Sequence, residues 1–275
     1  MCEENIIKPY LPNKTAEELY KYAVNEFKKE KGKTNFVNNC DDETAVNELL
    51  NPLGAYPHAF VLACVMDRQT KAENAWRIPR IVFDQLGRFD IDYLASAEEA
   101  IHRIFEQNKD IKHRFKDIMA DLFCCAVKRI QRDYAGDAGK IWNDTPPSGL
   151  LIYRFLQFQG VGIKIATMAT NILMRRFGIE LRDRRSIDIS PDVHTVRVFQ
   201  RLGLTSFDKD NEIKSREGTM YIARAINPEY PGIFDYPCWD VGAHYCHAQN
   251  PECKKGEEKC PFFDFCPSNK DNKLT

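Results

Sequence analysis

The feature that most constrains the fold is a helical rhythm that runs through most of the chain. Phe115, Ile118, Met119, Leu122, Phe123, Ala126, Val127 and Ile130 recur with a period near 3.6 residues over about four turns. Ser148 opens GLLIYRFLQF, which stops at Gly160-Val161-Gly162, and KIATMATNILMRRF then runs to Gly178, a suitable C-cap. Thr15 with Glu18 and Ser96 with Glu99 read as capping boxes. Pro57 opens HAFVLACVMDRQ, which is too apolar for a surface helix and is expected to be buried. Pro191 and Asp192 open a further helix that turns Val193, Val196, Val198, Phe199 and Leu202 toward a core. No segment keeps the alternation of a strand. The expected fold class is all-α, with few or no strands.

A chain of 275 residues buries one large core or two modest ones. Hydrophobic residues at 43% and charged residues at 29% fit a soluble globular protein. No apolar run approaches the roughly 20 residues of a membrane helix. The N-terminus MCEENIIKPY is acidic where a secretion signal is basic. A cytoplasmic location with no membrane partner is therefore expected. The net charge of −1 announces no nucleic-acid partner, but charge is local. Lys112 to Arg132 holds six basic residues against two acids, and Leu173 to Arg201 holds seven against four. Both stretches read equally as solvated helix faces.

Ten cysteines are unevenly spread. Cys2, Cys40, Cys64, Cys124 and Cys125 are scattered, and the last three read as small buried hydrophobes. Cys246, Cys253, Cys260 and Cys266 form a C-x6-C-x6-C-x5-C pattern in a tail too polar to fold around its own core. Structural zinc sites use closer pairs, whereas a [4Fe–4S] cluster accepts ligands from a wider loop. Pro261 and Pro267 would stiffen that loop, and Cys238 falls outside the pattern. Zinc remains the alternative. Lys254, Lys255 and Lys259 in the loop either offer charge to a phosphate backbone or keep it solvated.

Two glycines around Val161 permit a tight turn between helices and leave amides at the second helix's N-terminus free to meet a phosphate. Lys164 follows in that helix's first turn, where the dipole opposes an ammonium and partial burial would favour the neutral amine. A neutral amine is what imine formation requires. Asp192 suits a helix N-cap that keeps its charge, and capping alone would account for it. An anchored carboxylate can also stabilise positive charge on a deoxyribose as its base departs.

Taken together, these residues resemble the endonuclease III superfamily of helix-hairpin-helix DNA glycosylases. That family carries L-P-G-V-G-x-K-T-A, then V-D-T-H-x-x-R-V, then a C-terminal cluster loop. Here Phe158 to Ala166 reads FQGVGIKIA, and Pro191 to Val198 reads PDVHTVRV. Arg201 to Leu204, a segment with Trp239 and the four cysteines follow in the same order. The likeness covers roughly residues 55 to 266. It implies Lys164 as nucleophile, Asp192 as catalytic aspartate, and Gly160, Val161 and Gly162 as the DNA-backbone hairpin. It also implies the four cysteines as [4Fe–4S] ligands. Gln69 sits where the family places a glutamine that enters the space left by a flipped base; a polar helix-end residue is an equal reading.

The implied architecture has two domains with the DNA groove between them. Residues 55–176 would form a six-helix barrel. Residues 177–275 would form a domain holding the cluster loop, 246–266, and residues 1–54 would pack with it. The implied partner is double-stranded DNA with a damaged or modified base, met by a monomer. A monofunctional glycosylase and a non-catalytic DNA-binding module are the rival readings. Three departures point to a divergent branch: x6 for the family's x2 in the middle cysteine spacing, Gln159 for proline and Ile165 for threonine.

Overall fold

The computed structural model describes residues 10–30, 43–206 and 212–269. Cys2 and Cys40 lie outside the described residues. Among those described, the regular structure is helical apart from one ribbon of two-residue strands. It divides into two compact units, residues 32–182 and residues 1–31 with 183–275.

The first unit is arranged around α3 (Pro57–Met66), which is apolar all round and buried from His58 to Met66. Packed on it are α2 (Glu43–Leu50), α4 (Ala72–Leu86), α7 (Lys116–Tyr134) and α9 (Ile163–Arg175). The unit also contains α5 (Ile91–Ser96), α6 (Glu98–Gln107) and α8 (Ser148–Leu156). The one imidazole in this wall, His58, is satisfied through Nε2 by the Phe89 carbonyl at 2.5 Å. Burial pushes its pKa down, so it donates there as a neutral ring. Residues 43–54 belong to this unit, not to the N-terminal segment, because the apolar face of α2 is buried on α3 and α4.

The second unit contains α1 (Lys14–Glu30), α10 (Val193–Arg201), α11 (Glu212–Ile226), α12 (Asp235–His244) and the ribbon β1 (Lys254–Lys255) with β2 (Glu258–Lys259). Its core includes Leu19, Phe199, Phe234 and Phe262. The close crossing of α10 and α12 depends on Gly242, where a Cβ would stand 2.6 Å from His194 Cβ and 3.0 Å from its Cα.

Two expected caps are corrected. Helix α1 is capped by Asn13, whose Oδ1 accepts from Ala16 N at 2.9 Å, rather than by Thr15. Ser96 donates to the Tyr93 carbonyl at 2.8 Å and so closes α5 instead of opening α6. Gly178 (φ +67) ends α9 as expected, with Ile179 N donating back to Leu173 O at 3.0 Å.

Candidate functional site

The first unit brings Gln69, Gly160, Val161, Gly162 and Lys164 onto connected pieces of structure. Phe158, at the end of α8, is buried and stacked on Tyr134, with a 3° interplanar angle. That anchors the entry to the turn. Gly160 takes φ +84, and a Cβ there would meet Leu122 of α7 at 2.7 Å. Glycine is therefore required both by backbone conformation and by close packing. Gly162 is different. Its backbone is extended (φ −97), and a Cβ built on it meets nothing within 4 Å. Among the described residues nothing demands a bare backbone at Gly162; no side chain caps α9 and residues 162–164 are exposed, so its first amides are open to an approaching group.

Lys164 lies in the first turn of α9, exposed, with no hydrogen bond or ion pair among the described residues. The partial burial considered from sequence is absent. Its electrostatic neighbour is Asp67, a half-buried carboxyl at the C-terminal end of α3. Burial raises the Asp67 pKa above the usual carboxylate value, and the Lys164 charge partly opposes that. Sequence reasoning missed Asp67; its position directly after a fully apolar helix was the available signal.

Gln69 is exposed at the tip of the same segment and holds φ +54, a left-handed conformation uncommon for a residue with a Cβ. The turn is held from below. His113 Nδ1 accepts from Phe115 N at 3.1 Å, which makes Nε2 the donor to the Arg68 carbonyl at 2.7 Å. Arg68 Nη1 would lie 3.5 Å from a Cβ on Gly160, so this turn and the hairpin are neighbours. His113, also missed, fixes the segment that carries Gln69.

In the second unit Asp192 is the N-cap of α10. Its Oδ1 accepts from His194 N and Thr195 N, both at 2.9 Å, and Oδ2 makes no hydrogen bond among the described residues. The Trp239 ring, itself 40% exposed, lies edge-on to His194 with centroids 6.5 Å apart.

The same helix ties into the cysteine segment. Arg197 donates through Nε to Cys246 O at 2.5 Å and through Nη2 to Gly242 O at 2.8 Å. Arg201 donates through Nη1 to Cys246 Sγ at 3.1 Å and through Nη2 to Ala248 O at 3.0 Å. These two arginines, counted from sequence within a basic stretch, hold the loop in place. Arg185 of the same stretch is paired with Glu229 at 2.9 Å.

Cys246, Cys253, Cys260 and Cys266 line a cavity of about 70 Å³, closed by Val198, Leu202, Val241, Phe262 and Phe263. A water needs only roughly 10–15 Å³ measured this way, so the space is several times what one small group fills. Among the described residues no three of these sulfurs lie within 4.8 Å of one another. Around a single zinc ion tetrahedral sulfurs stand about 3.8 Å apart. The donor set and the space thus fit a cluster better than one ion. Burial pushes the Cys260 thiol up to about 12 and Cys266 in the same direction, so thiolates here call for a bound cation. Cys238 is fully buried outside this set. Lys254 and Lys255 are exposed on β1; Lys254 Nζ sits 4.8 Å over Phe263, and Lys255 pairs with Glu252 at 3.2 Å.

These features define an all-α helix-hairpin-helix fold, the fold of the helix-hairpin-helix DNA glycosylases. It is similar to an endonuclease III trapped as a covalent intermediate with DNA, with TM-score 0.54 and 19% identity over 94% of this chain and 99% of that one. It is also similar to a thermostable thymine-DNA glycosylase, with TM-score 0.55 and 13% identity over 94% of this chain and all of the other. No protein-family model and no curated protein matches the chain.

Proposed function

We propose that the chain is a base-excision DNA glycosylase with lyase activity, acting on a damaged or modified base in double-stranded DNA. The observation that carries this reading is the turn at Gly160–Gly162. It leaves the first amides of α9 open, at a glycine that the protein's own packing does not require, with the exposed amine of Lys164 in the same turn. Open amides at a helix N-terminus suit a phosphate, and an adjacent amine suits a sugar carbon.

The chemistry requires a nucleotide flipped from the stack, because C1′ is inaccessible within it. Lys164 gives up a proton, for which Asp67 is the neighbouring carboxylate acceptor. The amine lone pair then forms a bond to C1′ while the N-glycosidic electron pair leaves with the base, which takes up a proton. Asp192 stabilises the positive charge that develops on the sugar. Ring opening converts the adduct to an imine; loss of a C2′ proton and departure of the 3′ phosphate complete β-elimination. Gln69 is assigned to the space vacated in the duplex. Lys254 and Lys255 are assigned to the backbone, with Lys255 the weaker because Glu252 already holds it.

On this reading Cys246, Cys253, Cys260 and Cys266 bind a [4Fe–4S] cluster, which supplies rigidity to a loop with little core of its own. Purified protein is expected to be yellow-brown and to carry roughly four irons per chain. Iron content should be unchanged in Cys238→Ala and lost in Cys246→Ser. Colourless, iron-free wild-type protein would overturn the assignment, and iron loss in Cys238→Ala would show that the wrong four were chosen.

Binding to undamaged duplex should depend steeply on salt, since each neutralised phosphate releases counterions. A fourfold rise in salt is expected to weaken it by at least about tenfold. A flat response in a fluorescence-anisotropy titration would leave the hairpin as an ordinary turn. The function itself is tested by borohydride trapping across a panel of lesion-bearing duplexes. A lyase crosslinks, a monofunctional glycosylase releases base without crosslinking, and a binding module does neither.

A further inference from the structure

Outside the residues assigned above, α6 and α7 place three different metal-ligating side chains together. Glu98 and His102 are four residues apart on α6 and share a face; Asp121 and Cys124 are three apart on α7. The two helices pack on each other. A carboxylate oxygen of Glu98, a ring nitrogen of His102 and Cys124 Sγ all lie within 4.8 Å of one another. Cys124 is only 3% exposed, and its thiol makes no hydrogen bond among the described residues. His102 Nε2 stands 3.4 Å from Asp121 Oδ1, where a carboxylate can fix the ring or enter the shell itself. An open depression lined by Glu98, Glu99, His102 and Arg103 gives access from solvent.

We propose that Glu98, His102 and Cys124 bind a divalent transition-metal ion, with zinc the best match. Thiolate, imidazole and carboxylate together suit zinc, whereas magnesium and calcium take oxygen ligands. Ligand atoms around tetrahedral zinc stand about 3.3–3.8 Å apart, so small side-chain rotations close the shell. Lys128 holds Glu98 Oε2 at 2.6 Å and leaves the other oxygen for the ion. On coordination the Cys124 thiol gives its proton to solvent. The fourth position falls to water or to Asp121. The ion clips α6 to α7, the helix whose Leu122 backs Gly160.

The test is a titration of full-length, cluster-loaded protein with Co²⁺ as the probe. Wild type is expected to take up one equivalent, with the visible bands of tetrahedral cobalt and a sulfur-to-cobalt charge-transfer band. Cys124→Ala and His102→Gln should lose both features while keeping their iron, and Cys125→Ala, altered at an exposed neighbour, should retain them. Asp121→Asn should weaken binding by about 10- to 100-fold. His102 is half-exposed, so His102→Gln decides the matter if Cys124→Ala does not fold. No charge-transfer band in wild type, or a band that persists in His102→Gln, would overturn the proposal.

Discussion

Lys164→Ala is expected to abolish borohydride crosslinking to DNA containing an abasic site while leaving DNA binding largely intact. The two effects separate because they rest on different atoms. Crosslinking needs the Nζ lone pair, and no other lysine lies in the hairpin motif from Phe158 to Ala166. Phosphate binding by the hairpin needs backbone amides at the start of α9, which the substitution leaves in place. Alanine is the best helix former, and the Lys164 side chain is exposed with no hydrogen bond among the described residues, so α9 and its packing should be undisturbed. Trapping on a gel and anisotropy on the same duplex are the two measurements. Crosslinking at the wild-type rate would mean that another amine is the nucleophile, and the lyase assignment would fail.

What was legible in the sequence was what local pattern dictates. The 3.6-residue period of α7, the all-apolar α3, the glycine stop between α8 and α9 and the Asp192 cap are each decided within a few residues. The clustering of the last cysteines is local in the same way, and Cys246, Cys253, Cys260 and Cys266 line one cavity. Two misses are local: Asn13 and not Thr15 caps α1, and Ser96 closes α5, each through a contact three residues away. The other misses are long-range. Arg197 and Arg201 read as surface charge until α12 and the cysteine segment fold back onto α10. His113 supports Arg68 from 45 residues away, and Glu98, His102 and Cys124 meet only through the register of α6 on α7. Residues 43–54 followed their apolar partners rather than their place in the sequence.

Asp192→Asn should lower base excision by about 10²–10³ while the protein still folds and still binds damaged DNA. The carboxylate has two separable tasks, one for each oxygen. Oδ1 caps α10 by accepting from His194 N and Thr195 N, and an asparagine carbonyl oxygen is an equally good N-cap acceptor. Folding should therefore survive, and with it the Arg197 and Arg201 contacts that hold the cysteine loop. Oδ2 makes no hydrogen bond among the described residues, so helix capping does not account for it. What the amide removes is a fixed negative charge held by a rigid helix end. Losing a preorganised electrostatic stabiliser of this kind typically costs about 2.7–4 kcal/mol in the transition state. Single-turnover excision, with thermal unfolding and iron content measured on the same preparation, separates the chemical effect from a structural one. Excision at the wild-type rate would reduce Asp192 to a helix cap and remove the charge-stabilising step. A slow rate with unchanged melting and unchanged iron would place the defect in the chemistry.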